Sequence, residues 1–179
     1  MKGLSLTQPW AQLVAIGAKK IETRSFQRSY RGPLAIHAAK GYGKGGARAH
    51  KGLCGTEPFC SVLSAALERW YNDRRDLRDM AEHHFMPFGA IVAVCELVDC
   101  VSTGLYSSVQ HGSEIWQVPP GNMSREYSFG NYGPGRWAWL LANIRALPEP
   151  IPAKGALGLW DLDAATLAAV EGQLEAAHV

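Results

Sequence analysis

The sequence predicts an α+β protein, a small mixed or antiparallel β-barrel with helices outside it, and three observations lead there. The elements run helix, strands, helices, strands, helix, which is not the βαβ alternation of a parallel, doubly wound sheet. Residues 89–101 contain Ala90-Ile91-Val92-Ala93-Val94-Cys95-Glu96-Leu97-Val98, a β-branched run suited to a strand at the centre of a sheet. With 179 residues, 47% of them hydrophobic, the chain has enough apolar material for one domain with a substantial core, taken as residues 1–179.

Each element follows from local chemistry. Residues 8–17 read as a short helix, with Pro9 in the first turn, where no amide hydrogen is needed, and Gly17 at the stop. Alternation over 19–26 predicts a strand with Glu22 and Arg24 on one side and Ile21 and Thr23 on the other. After the Arg31-Gly32 turn, residues 33–39 form a buried strand, followed by a Gly-rich basic loop at 40–46. That loop lacks the glycine and lysine order of a P-loop. Two helices are expected between 57 and 85, in a helical insertion at about 56–85, their aromatic and methionine stripe serving packing. Residues 102–135, rich in Gly, Pro and polar groups, read as a long irregular lid or binding loop, with Trp116, Tyr127, Phe129 and Tyr132 available to cover a ligand. Strands at 136–147 and 156–160 close the sheet. Asp161 or Asp163 then caps a final helix at about 163–177.

The net charge of +2 hides a strong asymmetry. Residues 1–51 carry ten Lys and Arg against one acid, Glu22, whereas the remainder carries eight basic and fifteen acidic groups. A field segregated in this way attracts polyanions; the alternative is that the basic segment pairs with acidic elements elsewhere in the fold. Cys54, Cys60, Cys95 and Cys100 do not have zinc-knuckle spacing, so reduced thiols and no metal are expected. The odd offset of Cys95 and Cys100 places them on opposite faces of a regular strand. No cofactor signature is present. The absence of an apolar run of about 18 residues, or of a secretory leader, predicts a cytoplasmic protein with no membrane partner.

The densest chemistry is Gly17-x-Lys19-x-x-Glu22-x-Arg24, just after Gln8-Pro9-Trp10 and before Tyr30-Arg31-Gly32. This pattern resembles the signature of the ASCH domain (activating signal cointegrator homology) of the PUA-like superfamily. Further landmarks occur in order: Leu4-Ser5-Leu6-Thr7-Gln8-Pro9-Trp10-Ala11, the 31–39 strand, Gly89-Ala90-Ile91-Val92, Leu97-Val98-Asp99-Cys100 and Gly158-Leu159-Trp160. The resemblance covers residues 3–160 and is weakest over 42–85. It implies a barrel of about six strands, a cleft beside the signature and the binding of RNA or DNA. One branch of the family hydrolyses acylated cytidine nucleosides, pairing the signature lysine with a threonine, where this chain has Glu22, and with a later glutamate.

Lys19 suits a phosphate clamp or, desolvated beside a carboxylate, a nucleophile or proton shuttle. Glu22 suits acceptance from the exocyclic amine of a base, general-base work, or a salt bridge that orders the strand. Arg24 offers a planar fork for phosphate or a base edge, and Trp10 a stacking face or a core residue. Gln8 and Ser5 supply polar contacts, and His37 reads as a satisfied core residue. Arg28, Arg31, Lys40 and Lys44 are expected to hold flanking phosphates. The first expectation is a nucleic-acid-binding module for RNA, or single-stranded DNA, or a nucleoside-like ligand. The rival is a metal-independent hydrolase of acylated cytidine or of RNA, with Lys19, Glu22 and a lid glutamate, Glu126 or Glu114, as its acid and base groups.

Overall fold

A computed structural model describes residues 1–73 and 86–177. The chain runs β1 (Lys2–Leu6), α1 (Trp10–Ala15), β2 (Ile21–Arg24), β3 (Gly32–Ala38), α2 (Gly46–Cys54), α3 (Phe59–Asp73), β4 (Ala90–Ser102), β5 (Ser107–His111), β6 (Glu114–Val118), α4 (Arg125–Ser128), β7 (Trp137–Pro152), β8 (Leu159–Asp161) and α5 (Ala164–Ala176). Six strands form one mixed sheet in the order β2-β7-β4-β3-β1-β8. Only β1 and β3 are parallel, joined by a crossover that contains α1 and β2. The expected α+β class with a small curled sheet holds, the sheet being a half-barrel whose edges are β2 and β8.

The long strands β4 and β7 supply the curvature. Their ladder shifts register between Ile91 and Ala93, Val94 and Glu96, and Leu97 and Asp99. Each irregularity adds local twist, and a strand of 13 residues against one of 16 then bends rather than lying flat. Asn143, at φ 51°, sits at one of these steps and its amide donates to Glu96 Oε2 at 3.0 Å. The same shifts correct the expectation for the thiols. Cys95 and Cys100 are both buried in one core cluster, because the slip at Leu97 and Asp99 resets the alternation that would have opposed them.

Helix α1 is shorter than expected and fully committed to packing. Ala11, Val14 and Ala15 meet the sheet residues Leu4, Leu34, Ile36 and Trp139, while Leu13 turns to Phe59, Leu63 and Phe129 on the other side. Trp139 has no exposed surface, and removing roughly 200 Å² of indole from water is worth about 5 kcal/mol before entropy. Helix α5 covers the opposite sheet face, with Val170 against Ala35, Ile91 and Val94. Of the two capping candidates Asp163 is the cap, accepting from Thr166 N at 2.8 Å.

Two segments depart from the sequence reading. Residues 102–135 are not an irregular lid: β5 and β6 form a hairpin across a Gly112-Ser113 turn, with Gly112 at φ 59°, and Ser124 caps the short α4. Trp116, Phe129 and Tyr132 are buried in core clusters, and of the four only Tyr127 stays partly in solvent, stacked on Tyr132 at 5.4 Å. Helix α2 forms where only the end of a basic loop was expected. Of the two helices expected between 57 and 85, α3 is present and the second lies outside the described residues. Among the described residues no helix is long and apolar enough to cross a membrane.

Candidate functional site

Gly17 sets the site in place. Its φ of +72° is the left-handed conformation that ends helices, and the amides of Ala18 and Lys19 both donate to Leu13 O at 2.9 Å. The chain therefore reverses directly beneath α1 and enters the edge strand β2. Lys19, on the reversal, is 0% exposed. Its ammonium donates to the carbonyls of Ile21 and Phe129, the latter at 2.9 Å, and lies 3.4 Å from Glu22 Oε2. Glu22 Oε1 is 3.1 Å from Arg24 Nε, and Arg24 Nη2 donates to Ser5 O at 2.9 Å.

The trio is thus a ladder of alternating charge that starts in the core and ends at the surface. Glu22 is 8% exposed, and it and Arg24 line a cleft of about 510 Å³. Trp10 and Thr7 form one side, and Ser128, Phe129 and Asn131 another. That loop is stitched to β2: Asn131 N donates to Thr23 Oγ1 at 2.9 Å, and Arg136 Nη2 to Thr23 O at 3.0 Å. The Trp10 indole N–H donates to Phe129 O at 3.1 Å and its ring meets Phe59 edge-on, so Trp10 is both a core residue and a cleft wall.

The other expected residues divide. Gln8 is 1% exposed and its amide is used internally, donating to Pro87 O at 2.9 Å and accepting from Gln12 N at 3.0 Å. Glu126 lies away from the cleft lining, where its two oxygens accept from the amides of Lys20 and Ile21 at 2.8 and 3.1 Å. Burial raises its pKa, against the opposing effects of the Lys19 charge and those two amides. Glu114 pairs with Lys20 at 3.2 Å. Arg31 is bound to Asp99 at 2.6 Å, and Arg28 lies 4.4 Å over the ring of Phe26. Lys44 is exposed and does not line this cleft, and Lys40 lines a neighbouring one. Part of the basic excess is therefore answered by acids from the rest of the chain, Lys2 with Asp161 included. His37 is enclosed, 2% exposed, and burial lowers its pKa. As the neutral ring, its Nε2–H donates to Ala153 O at 3.1 Å and Nδ1 accepts from Ser5 at 3.1 Å.

Arg136 and Asn131 are cleft residues that the sequence reading did not single out. More than 100 residues separate them from the signature, and only the β2–β7 pairing brings them there.

A sequence model of the ASCH domain matches residues 4–151. The chain belongs to the ASCH domain family. It is 26% identical over 160 residues to activating signal cointegrator 1 of Mus musculus, a match that covers 89% of this chain and 22% of that protein. The chain thus spans about a fifth of that relative's length. A solved ASCH mutant protein from Zymomonas mobilis aligns over 96% of both chains with 10% identity and a TM-score of 0.43. In this chain Gly17 makes the reversal, Lys19 is buried beneath it, and Glu22 and Arg24 are among the residues that line the cleft.

Proposed function

We propose that this ASCH domain binds single-stranded nucleic acid, RNA before DNA, by seating one base in the cleft beside Glu22 and Arg24. The observation that carries this reading is the division of labour within the trio. Lys19 directs its amine nitrogen at three protein oxygens and does not line the cleft, whereas Glu22 and Arg24 in front of it do. A carboxylate held in place accepts from the exocyclic amine of a base, and an arginine fork takes a base edge or a phosphate oxygen. Unpaired strands offer these edges without the cost of opening a duplex. Lys19 is then the support that orients Glu22 and offsets its burial.

The test is fluorescence anisotropy with a single-stranded RNA octamer at two salt concentrations, for the wild type and Glu22→Gln. The expected result is a steep loss of affinity with salt and a further loss of about tenfold or more in the variant, the cost of a charge-assisted hydrogen bond. Binding that ignores salt, or a variant that binds like the wild type, refutes the reading. Parallel incubation with acylated cytidine and with RNA separates the hydrolase alternative, which requires turnover.

A further inference from the structure

A second cleft, of about 880 Å³, adjoins the first, and the two share Ser5, Ala39 and Leu157 in their walls. Its character differs. The first is walled by the Glu22 carboxylate and by Arg24 and Arg136, whereas the second carries two lysines, Lys40 and Lys154, and no acidic side chain among the described residues.

The loop between β7 and β8, residues 153–158, forms one side of it and is firmly seated. Ala153 N donates to Gly89 O at 3.0 Å, and Ala153 O accepts from His37. The backbone of Gly155 lies so close to the Ser5–His37 hydrogen bond that a Cβ there would be 2.3 Å from His37 Nδ1 and 2.5 Å from Ser5 Oγ. From this anchored loop Leu157 projects with 99% of its surface in water, at the boundary of the two clefts. An exposed apolar side chain two residues beyond the tightly packed Gly155, between a base-sized cleft and a cationic one, has the chemistry of a wedge between successive bases.

Resting on the binding reading above, the geometry points to one continuous track for at least two nucleotides of a single strand. One base sits beside Glu22 and Arg24, Leu157 separates it from the next, and Lys40 and Lys154 hold the phosphate between or after them. The ligand recognised is therefore a dinucleotide step within a strand rather than a free nucleoside.

The track is tested by NMR titration of the labelled chain with a nucleoside, with the dinucleoside monophosphate containing that base, and with single-stranded and duplex octamers. The dinucleoside monophosphate is expected to bind about tenfold or more tighter than the nucleoside. The variant Lys40→Ala/Lys154→Ala should reduce that advantage about tenfold and lower the octamer salt slope by about 0.7, the value for the one single-strand phosphate the two lysines hold. Removing the same charge from α2, Arg48→Ala/Lys51→Ala, should leave the advantage intact. A dinucleotide with 2-aminopurine beside the seated base should brighten several-fold as it unstacks, and Leu157→Ser should abolish that signal.

Equal affinity for nucleoside and dinucleotide overturns the track, and so does wild-type behaviour of the double-lysine variant while Glu22→Gln still weakens binding. In both cases the single-base reading survives. If Glu22→Gln changes nothing, the base reading fails and the track fails with it. Tighter binding of duplex than of single strand overturns the single-strand assignment.

Discussion

Replacing Lys19 by methionine keeps most of the side-chain volume and removes the charge and all three donors. The Ile21 and Phe129 carbonyls lose a partner, and the Glu22 carboxylate, 8% exposed, keeps only Arg24 among the described residues. Removing one member of a buried ion pair costs about 3–5 kcal/mol, most of it from the charge left behind; the Phe129 carbonyl keeps the Trp10 indole as a donor, and the lost carbonyl bonds overlap with that figure rather than adding to it in full. For a chain of this length 1 kcal/mol shifts Tm by about 2–4 °C, so Lys19→Met should lower Tm by roughly 6–20 °C. The assay is thermal unfolding followed by circular dichroism, with Glu22→Gln and the Lys19→Met/Glu22→Gln double variant completing a cycle. Because the double variant no longer buries an unpaired carboxylate, it should cost less than the two singles together by about 1–3 kcal/mol. A single-variant loss below about 3 °C, or costs that simply add, would mean that Lys19 is not the counter-charge for Glu22, and its role as a support would have to be abandoned.

Two further outcomes follow from the same geometry. Gly155→Ala should destabilise the chain by about 1–3 kcal/mol, read from urea unfolding, since the added methyl has to displace His37 or Ser5; an unchanged midpoint would show that the loop moves freely. Burial holds the His37 pKa below its ordinary 6.5, so the unfolded chain takes up a proton first as pH falls. Stability tied to this group is thus present above 6.5 and lost as pH drops from there towards the folded value. Tm should accordingly be lower near about pH 5 than near about pH 7.5, and the difference should shrink in His37→Gln; an equal pH dependence in the variant would clear His37 of that role.

Much of this fold could be read locally, because local rules dictated it. The β-branched run of β4, the glycine that ends α1 and the Asp163 cap each depend on a few neighbouring residues. The hairpin of β5 and β6 was legible too: a two-residue Gly112-Ser113 link between His111 and Glu114 is a turn signal, obscured by the polar composition around it. The placement of Cys95 and Cys100 was not legible, since a register slip belongs to the pairing of β4 with β7 and neither strand specifies it alone.

The class of fold, the family and the early basic cluster with its lysine, glutamate and arginine are legible along the chain, because they depend on composition and on residues within a few positions of each other. Which charges face solvent depends instead on how distant segments pack. Packing of α1 and the 129–131 loop over β2 buried Lys19 and left Glu22 and Arg24 at the cleft, while cross-chain ion pairs engaged Arg31 and Lys20. The tertiary structure also brought Lys154 and Leu157 beside Ser5 and Lys40, more than 110 residues away in the chain. Burial and proximity are properties of contacts between distant segments, and residue identity does not encode them one position at a time.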